Sequence, residues 1–534
     1  MGSRTTGSKG GVECGMRKRV LGVTIVLVWL GMVGWQVRRE YFPPELTRLA
    51  EAALSLAPGV NFYMLTMGGR TVGQATSRLD TLSDGFRLED VMSLELPALG
   101  QTGIAVARTS VKLSSALVME SFEFTLDSEV GRFAASGTLG ADTTLEVTIR
   151  SAGSEQNLSF RLPQPPVMSN VVPIRIAMGG ALKVGETVRL PVFDPTSLST
   201  RTVEVHIVEH DTLFVTDSAS LDPGTGRWSS ARLDSVPAWR IAEVFGGIRV
   251  ESWVDADGRV LRSSSPLGFS MERTEYELAR QAQEDARLVD ASPFDDDVIL
   301  STAVRSNVDF DNVEEHEELR FRLTGVDLAG FQLDGGRQTL RGDTLIVRRE
   351  RWDDVAPGYT LPYSFMDLRE ALEPEPLIQS DDPRIRDQAR SVTVARAQWR
   401  QDPKEVARQL TRSVFGMLEK SITFSIPNAV QVLETRRGDC NEHTVLYVAM
   451  ARSLGLPART AVGLVYVNGA FFYHAWPEVW LGEWVAVDPT FGQVPADASH
   501  IRFVIGGLAQ QVEIMRLIGN LDIEVLGLPD QEAQ

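Results

Sequence analysis

The chain is short of cysteine: two residues in 534, Cys14 and Cys440. That excludes a disulfide framework as the source of its stability. It is short of positive charge too. Lys+Arg number 53 against 71 Asp+Glu, a formal net charge of −18, which argues against a nucleic-acid partner, whose phosphates demand a basic footprint. No stretch carries the D-x-D-x-D-G spacing of a calcium loop, and no second ligand pair matches the C-x-x-H of Cys440 and His443, so neither metal nor other cofactor is expected. No long repeat is visible. What remains is ordinary: 43% hydrophobic and 23% charged residues, the mix of globular domains. A single core stops growing at about 250–300 residues, so two or three domains are expected.

Arg17, Lys18 and Arg19 precede an apolar run from Val20 to Val37. At about 1.5 Å per residue, eighteen helical residues reach ~27 Å, enough to cross hydrocarbon. A cleaved signal peptide would begin in the same way, but no A-x-A-like site follows. The run ends instead in Trp35, Arg38 and Arg39, an interfacial aromatic and snorkelling cations. The expectation is an uncleaved signal anchor at 20–37 behind a cytoplasmic tail at 1–19. The greater positive charge before the run places the bulk of the chain on the periplasmic or extracellular side.

Beyond the anchor, short β-type runs such as Leu145–Ile149, Thr202–Val208 and Arg249–Val254 alternate with Gly, Asp, Asn and Pro. They predict a β-rich exported domain over 44–270. His206 and His210 alternate on one strand, where a surface reading outweighs metal binding. A charged, helix-compatible linker follows at 271–297, then a second β module at 298–375. The acidic cluster Glu314–Glu318 around His316 reads as a solvated face. At 380–510 the periodicity becomes helical, with Val406, Leu410, Val414 and Leu418 four apart behind Pro403 at an N1 position. Residues 511–534 read as a C-terminal tail.

The chemistry lies in that last domain. Arg437-Gly438-Asp439-Cys440-Asn441-Glu442-His443 leads into an apolar run ended by Gly455 and Pro457, so Cys440 sits at a helix N-terminus. Free N–H groups and the helix dipole there are expected to favour a thiolate and to supply part of an oxyanion hole. A strand follows over 458–467, then the hairpin signal Asn468-Gly469, then a return strand with His474. A third strand, Trp484 to Asp488, comes after a turn around Gly482. Reflection about position 481 sets His474 opposite Asp488, within a few residues of register. A lone strand histidine is usually structural, and Asp488-Pro489-Thr490 alone would be a turn. Together with Cys440 they form a nucleophile, a base and an orienting acid. Pro477 requires the His474 strand to be an edge or bulged there. Gln431 is considered as an oxyanion donor, but its helical context favours packing or solvent.

The stretches RRGDCNEHTVLYVAMARSLGLPAR and YHAWPEVWLGEWVAVDPTFGQ, with PADASHIRFV after them, resemble the bacterial branch of the transglutaminase-like superfamily over about 385–510. The resemblance implies an α+β, papain-like core at the C-terminus, here preceded by β-rich modules and an N-terminal transmembrane helix. It assigns Cys440 as nucleophile, His474 as general base and Asp488 as orienting acid. It further implies acyl transfer through a thioester on a protein or peptide substrate. Hydrolysis is the preferred outcome, with amine transfer (cross-linking) the alternative. A non-catalytic envelope scaffold is a reading of another class, against which the complete set of three residues argues.

Overall fold

The structure is a computed structural model that describes residues 45–98, 101–245, 248–266, 268–288, 298–393 and 402–527. The expected tail at 1–19 and anchor at 20–37 lie outside those residues. Among the described residues no helix is long and apolar enough to cross a membrane.

Fifteen strands between Gly59 and Thr274 form one sheet. Its first strand, Gly59–Met67, pairs antiparallel with its last, Phe269–Thr274. The sheet grows outward from that pair by successive neighbours, to edges at Ser154–Arg161 and Val167–Met168. Period-two patterning builds it: in Thr144–Ser151, Leu145, Val147 and Ile149 are buried while Glu146 is exposed. A sheet of this width must twist and curl. Phe193, near one edge, meets Phe160 of the opposite edge strand (6.2 Å between centroids) and Phe122 (5.3 Å), each at a tilt. The concave side is filled by Leu49 of helix Glu45–Ala53 and by Ile174 and Met178 of helix Val172–Met178.

The expected linker is docked rather than free. Phe269–Thr274 belongs to the sheet, and helix Tyr276–Leu288 folds back on it. Gln281 bonds both the N–H (2.7 Å) and the carbonyl (3.0 Å) of Trp228, and Gln283 reaches Glu95 at 2.8 Å.

The C-terminal part is mixed α and β. Helix Cys440–Ser453 lies against a sheet ordered Val304–Arg305, Ala470–Trp480, Ala458–Val467, Ile501–Ile505, with Trp484–Ala486 also beside Ala470–Trp480. Helices Pro383–Val392, Pro403–Met417 and Ala429–Thr435 cover the helix and share its core, in which Val406, Leu410 and Val414 meet Leu446, Tyr447 and Met450. Asp402 caps the second of these helices with Pro403 at its start.

Two expected boundaries differ. Residues 298–375 are not a separate module. Val304–Arg305 extends the sheet bearing His474, and Phe321 meets Phe471 edge-on at 5.7 Å within one core. Part of the expected tail is a strand, Asp522–Leu526, which pairs with Glu318–Thr324. Alternate burial of Ile523 and Val525 drives that pairing.

The β-rich sheet and the C-terminal part are joined by a strap ahead of the Cys440 helix. Phe424 packs over Gly103, where a Cβ would come within 2.3 Å of its ring, and Ile426 enters the core of the curved sheet. Gln431 accepts from Ser151 Oγ (2.8 Å) and donates to the Val130 carbonyl (2.8 Å).

Candidate active site

The Cys440 helix starts where it does because its first turn is capped twice. Asp439 accepts from the Asn441 N–H at 2.9 Å, and Glu442 accepts from the Asp439 N–H at 3.0 Å. This capping box satisfies donors that a helix start leaves orphaned. The second oxygen of Glu442 accepts from Thr423 (2.6 Å) and Ser425 (2.9 Å) on the strap. Gly438 leaves room for that fold-back, since a Cβ there would lie 2.2 Å from Cβ of Glu442. The nucleophile candidate is thus tied, through one carboxylate, to the segment that grips the β-rich sheet.

Strand Ala470–Trp480 pairs along its whole length with Ala458–Val467. On its other side it is paired only near its ends, at 470–471 and 478–480. Pro477 is accommodated by that open edge, as its missing N–H requires. The helix fills part of the gap: the Ala475 N–H points at the Cys440 sulfur, and the Ala475 carbonyl accepts from Thr444 Oγ1 at 3.0 Å. Two successive helical turns therefore clasp one residue of the strand, Ala475, which follows His474 in the chain.

His474 Nε2–H donates to Asp488 Oδ2 at 2.7 Å, both side chains being buried. A carboxylate can only accept, so this bond fixes the proton on Nε2 and leaves Nδ1 as the basic nitrogen. The ring is held between Phe491 (5.1 Å) and Trp476 (6.0 Å). The hairpin centres on Gly482 rather than 481, with Glu478 opposite Ala486. The third strand ends at Ala486 instead of Asp488. Asp488 lies just beyond it in a turn, where its Oδ1 accepts the N–H groups of Thr490 (2.6 Å) and Phe491 (3.0 Å). One oxygen makes the turn and the other is free for imidazole.

The thiolate expectation does not hold for the resting thiol. Burial, then the negative charge of Asp439, push the Cys440 thiol well above its ordinary value, against the pull of the Ala475 N–H. The carboxylates that cap the helix thus oppose the dipole they complete. As a resting thiol it would need a base to act as a nucleophile.

His500 was not singled out by the sequence. Its Nε2 faces the same Asp488 oxygen at 3.0 Å and its Nδ1 faces Asp497 at 3.1 Å, with the whole side chain buried. The D-x-x-H spacing from Asp497 was the available signal. The two carboxylates, against the effect of burial, raise His500 to about 9.

The other candidates lie elsewhere. Gln431 is spent on the β-rich sheet, as described. His206 bonds Thr187, His210 packs at a tilt against Trp239 and His316 meets Phe310. His443 turns Nδ1 to the Asp439 carbonyl (2.6 Å) and is not paired with Cys440 as a metal ligand; its Nε2 is buried without a partner. His474, Asp488 and His500 do gather their ligating atoms within 4.8 Å. A tetrahedral ion with bonds of about 2.1 Å holds its ligands about 3.4 Å apart, whereas these atoms meet at 2.7 and 3.0 Å, the spacing of shared protons.

Beside the first turn of the helix is a cavity of about 300 Å³ between the two parts of the chain. Leu158, Phe160 and Leu198 of the β-rich sheet line one wall, and Leu377, Asn441 and Val445 the other.

Residues 390–489 match the family model of the transglutaminase-like superfamily, a span that holds Cys440, His474 and Asp488. No curated protein matches the chain. Among solved structures, a candidate cysteine protease from Cytophaga hutchinsonii is 16% identical, over 39% of this chain and 80% of its own, with a TM-score of 0.28. A β-barrel-like protein of unknown function from Brucella abortus is 14% identical over 41% of this chain and 95% of its own (TM-score 0.31). The periplasmic domain of TgpA from Pseudomonas aeruginosa is 21% identical over 34% of this chain and 74% of its own (TM-score 0.21).

Proposed function

The chain carries a transglutaminase-like domain over 390–489, and from that premise we propose that it is a thiol enzyme acting on amide bonds of proteins or peptides through a Cys440 thioester, with water as the acceptor. The observation that carries this reading is the clasp of Cys440 on Ala475, next to a His474 whose tautomer is set by Asp488. In the proposed reaction the Cys440 sulfur attacks the amide carbonyl while its proton passes to Nδ1 of His474. The oxyanion is met by the N–H of Cys440, one of the first-turn donors that the helix leaves free. The C–N bond breaks as His474 returns the proton to the leaving amine. Water then attacks the thioester, His474 takes its proton, and the thiol is released with a carboxylic acid product. The cavity beside Asn441 would accept an apolar side chain next to the reacting amide.

The same reading places the enzyme on a membrane through the 20–37 segment, with the remainder periplasmic or extracellular, on the charge asymmetry around that run. The absence of calcium-loop spacing favours water over an amine as acceptor. Incubating the full-length protein in detergent with a glutaminyl peptide and a labelled amine tests the acceptor. Release of ammonia with little label in the peptide is expected; amine incorporation exceeding hydrolysis would replace the hydrolase with a cross-linking enzyme.

A further inference from the structure

The strongest unassigned feature is a chain of buried titratable groups, His474, Asp488, His500 and Asp497, of which the reaction above uses only the first two. We propose that His500 is a positioning residue charged at neutral pH: an imidazolium that shares Asp488 with His474 and holds His474 as a neutral base. The role in catalysis rests on the thiol-enzyme reading; the charge does not.

Hydrogen-bond arithmetic gives the charge. His500 Nδ1 faces Asp497 Oδ1 at 3.1 Å and Nε2 faces Asp488 Oδ2 at 3.0 Å. A neutral imidazole has one N–H, so one ring nitrogen would turn its lone pair on a carboxylate. A proton on either carboxyl would remove that conflict, but no oxygen is free to carry it. Asp488 Oδ1 accepts two backbone N–H groups, and Oδ2 accepts from His474 as well. Asp497 Oδ1 accepts the N–H (2.8 Å) and hydroxyl (2.7 Å) of Ser499, and Oδ2 accepts from Gln493 at 2.8 Å. Both His500 nitrogens are therefore donors.

Other titratable groups adjoin the cluster: Cys440 and His443 of the packed helix both feel the charge of Asp488, and Arg337 and Glu314 lie on the far side. Arg337 donates to the carbonyls of Ala496 (2.7 Å) and Asp497 (2.9 Å) and pairs with Glu350. Glu314 is reached only through Gln493. Trp476 meets His500 edge-on at 5.2 Å and Phe491 lies at 6.5 Å, so aromatic rings close much of the remainder.

The consequence falls on His474. Its ring centre is 5.8 Å from that of His500, and the single charge of Asp488 lies between them. With Asp488 already neutralised by one cation, a second cation at His474 is disfavoured. That keeps Nδ1 free to take a proton, and it opposes a resting thiolate–imidazolium pair. Asp497 anchors the cation from the far side, so His500 cannot follow the proton.

Ring-nitrogen NMR on the full-length protein, labelled at its six histidines, reads both halves of the proposal without substrate. At pH 7.5 the resonances that vanish in His500→Gln should show both nitrogens protonated. In the same variant the titration midpoint of His474 should rise by about one pH unit. A neutral His500 at pH 7.5, or a His474 midpoint that stays or falls, overturns the proposal. Should His500→Gln not fold, Asp497→Asn serves: the midpoint of His500 should fall and that of His474 rise, and an unchanged pair of midpoints overturns it. A protein without amidase activity would leave these observables standing and remove the functional reading instead.

Discussion

The curved sheet and the C-terminal part handle charge in opposite ways. On the sheet, ion pairs lie outside an apolar interior: Arg150 and Glu155 pair at 2.8 Å with more than half of each side chain exposed. In the C-terminal part, charge goes inside. Glu478 is 1% exposed and is bonded by Arg502 (2.9 Å) and Arg459 (2.6 Å), with the Arg459 guanidinium over Trp484. Asp488, Asp497 and His500 are buried likewise. Burying charge costs several kcal/mol per ion unless the geometry returns it. The sheet meets that cost at single carboxyls such as Asp90 and Glu243, which burial pushes up, whereas the C-terminal part buries whole ion pairs that fix a few side chains in one orientation. Ion pairing is thus a surface matter at Arg150–Glu155 on the sheet, and in the C-terminal part it fixes the orientation of buried side chains.

The comparison is broken most severely at Asp488. Asp488→Asn keeps the shape but turns an amide donor, or a weaker acceptor, on two imidazoles at once. Turnover is expected to fall by about 10³–10⁴-fold, as when an orienting carboxylate is lost, while the fold survives; a steady-state assay with circular dichroism checks both. Next comes Glu478→Ala, which leaves Arg502 buried without its carboxylate. It should destabilise the chain by about 3–5 kcal/mol in a denaturant titration.

Titration of His500 should have a somewhat smaller effect. A histidine raised from 6.5 to about 9 by folding adds stability that is complete below pH 6.5 and is lost as pH rises through about 9. The change across that window is on the order of 3 kcal/mol. Melting temperature in wild type should fall between those pH values, and in His500→Gln the slope should flatten. Asp488 and Asp497, held below the usual carboxylate range by the same histidines, act in the other direction, and their contribution is lost only as pH falls through the acid range. The smallest effect is expected on the sheet: Glu155→Ala should change stability by no more than about 1 kcal/mol. If it matched Glu478→Ala, the contrast between the two parts would not stand.

The sequence allowed the site to be read unevenly, for physical reasons. Cys440, His474 and Asp488 each carry a local signal, a helix start, a hairpin and a strand-end turn, and hairpin symmetry relates the last two to within two residues. His500 carries only the weak D-x-x-H spacing from Asp497. It reaches Asp488 only because Ile501–Ile505 returns to pair with Ala458–Val467, through a register shift at Val462/Gly463. Gly463 faces His474 across the ladder, and a Cβ there would meet the Ile501 carbonyl at 1.8 Å. That glycine has no meaning until the strand order is known. The same holds for the joining of 318–324 with 522–526, some 200 residues apart, which no local pattern announces. The helix over 276–288 read as a linker because its charges suit solvent; its glutamines turn out to face the sheet. The thiol was misjudged for a related reason, since the helix start is visible in sequence and the burial that opposes it is not.

The central claim is that Cys440 forms an acyl-enzyme with His474 as its base. Full-length protein in detergent, mixed with an activated peptide ester and quenched in acid within seconds, can be weighed intact and mapped by peptide. One acyl adduct per chain is expected, located on Cys440 and not on Cys14, appearing at least a hundredfold more slowly in His474→Ala. Acylation of Cys440 at the same rate with and without His474, or no adduct at all, would contradict it.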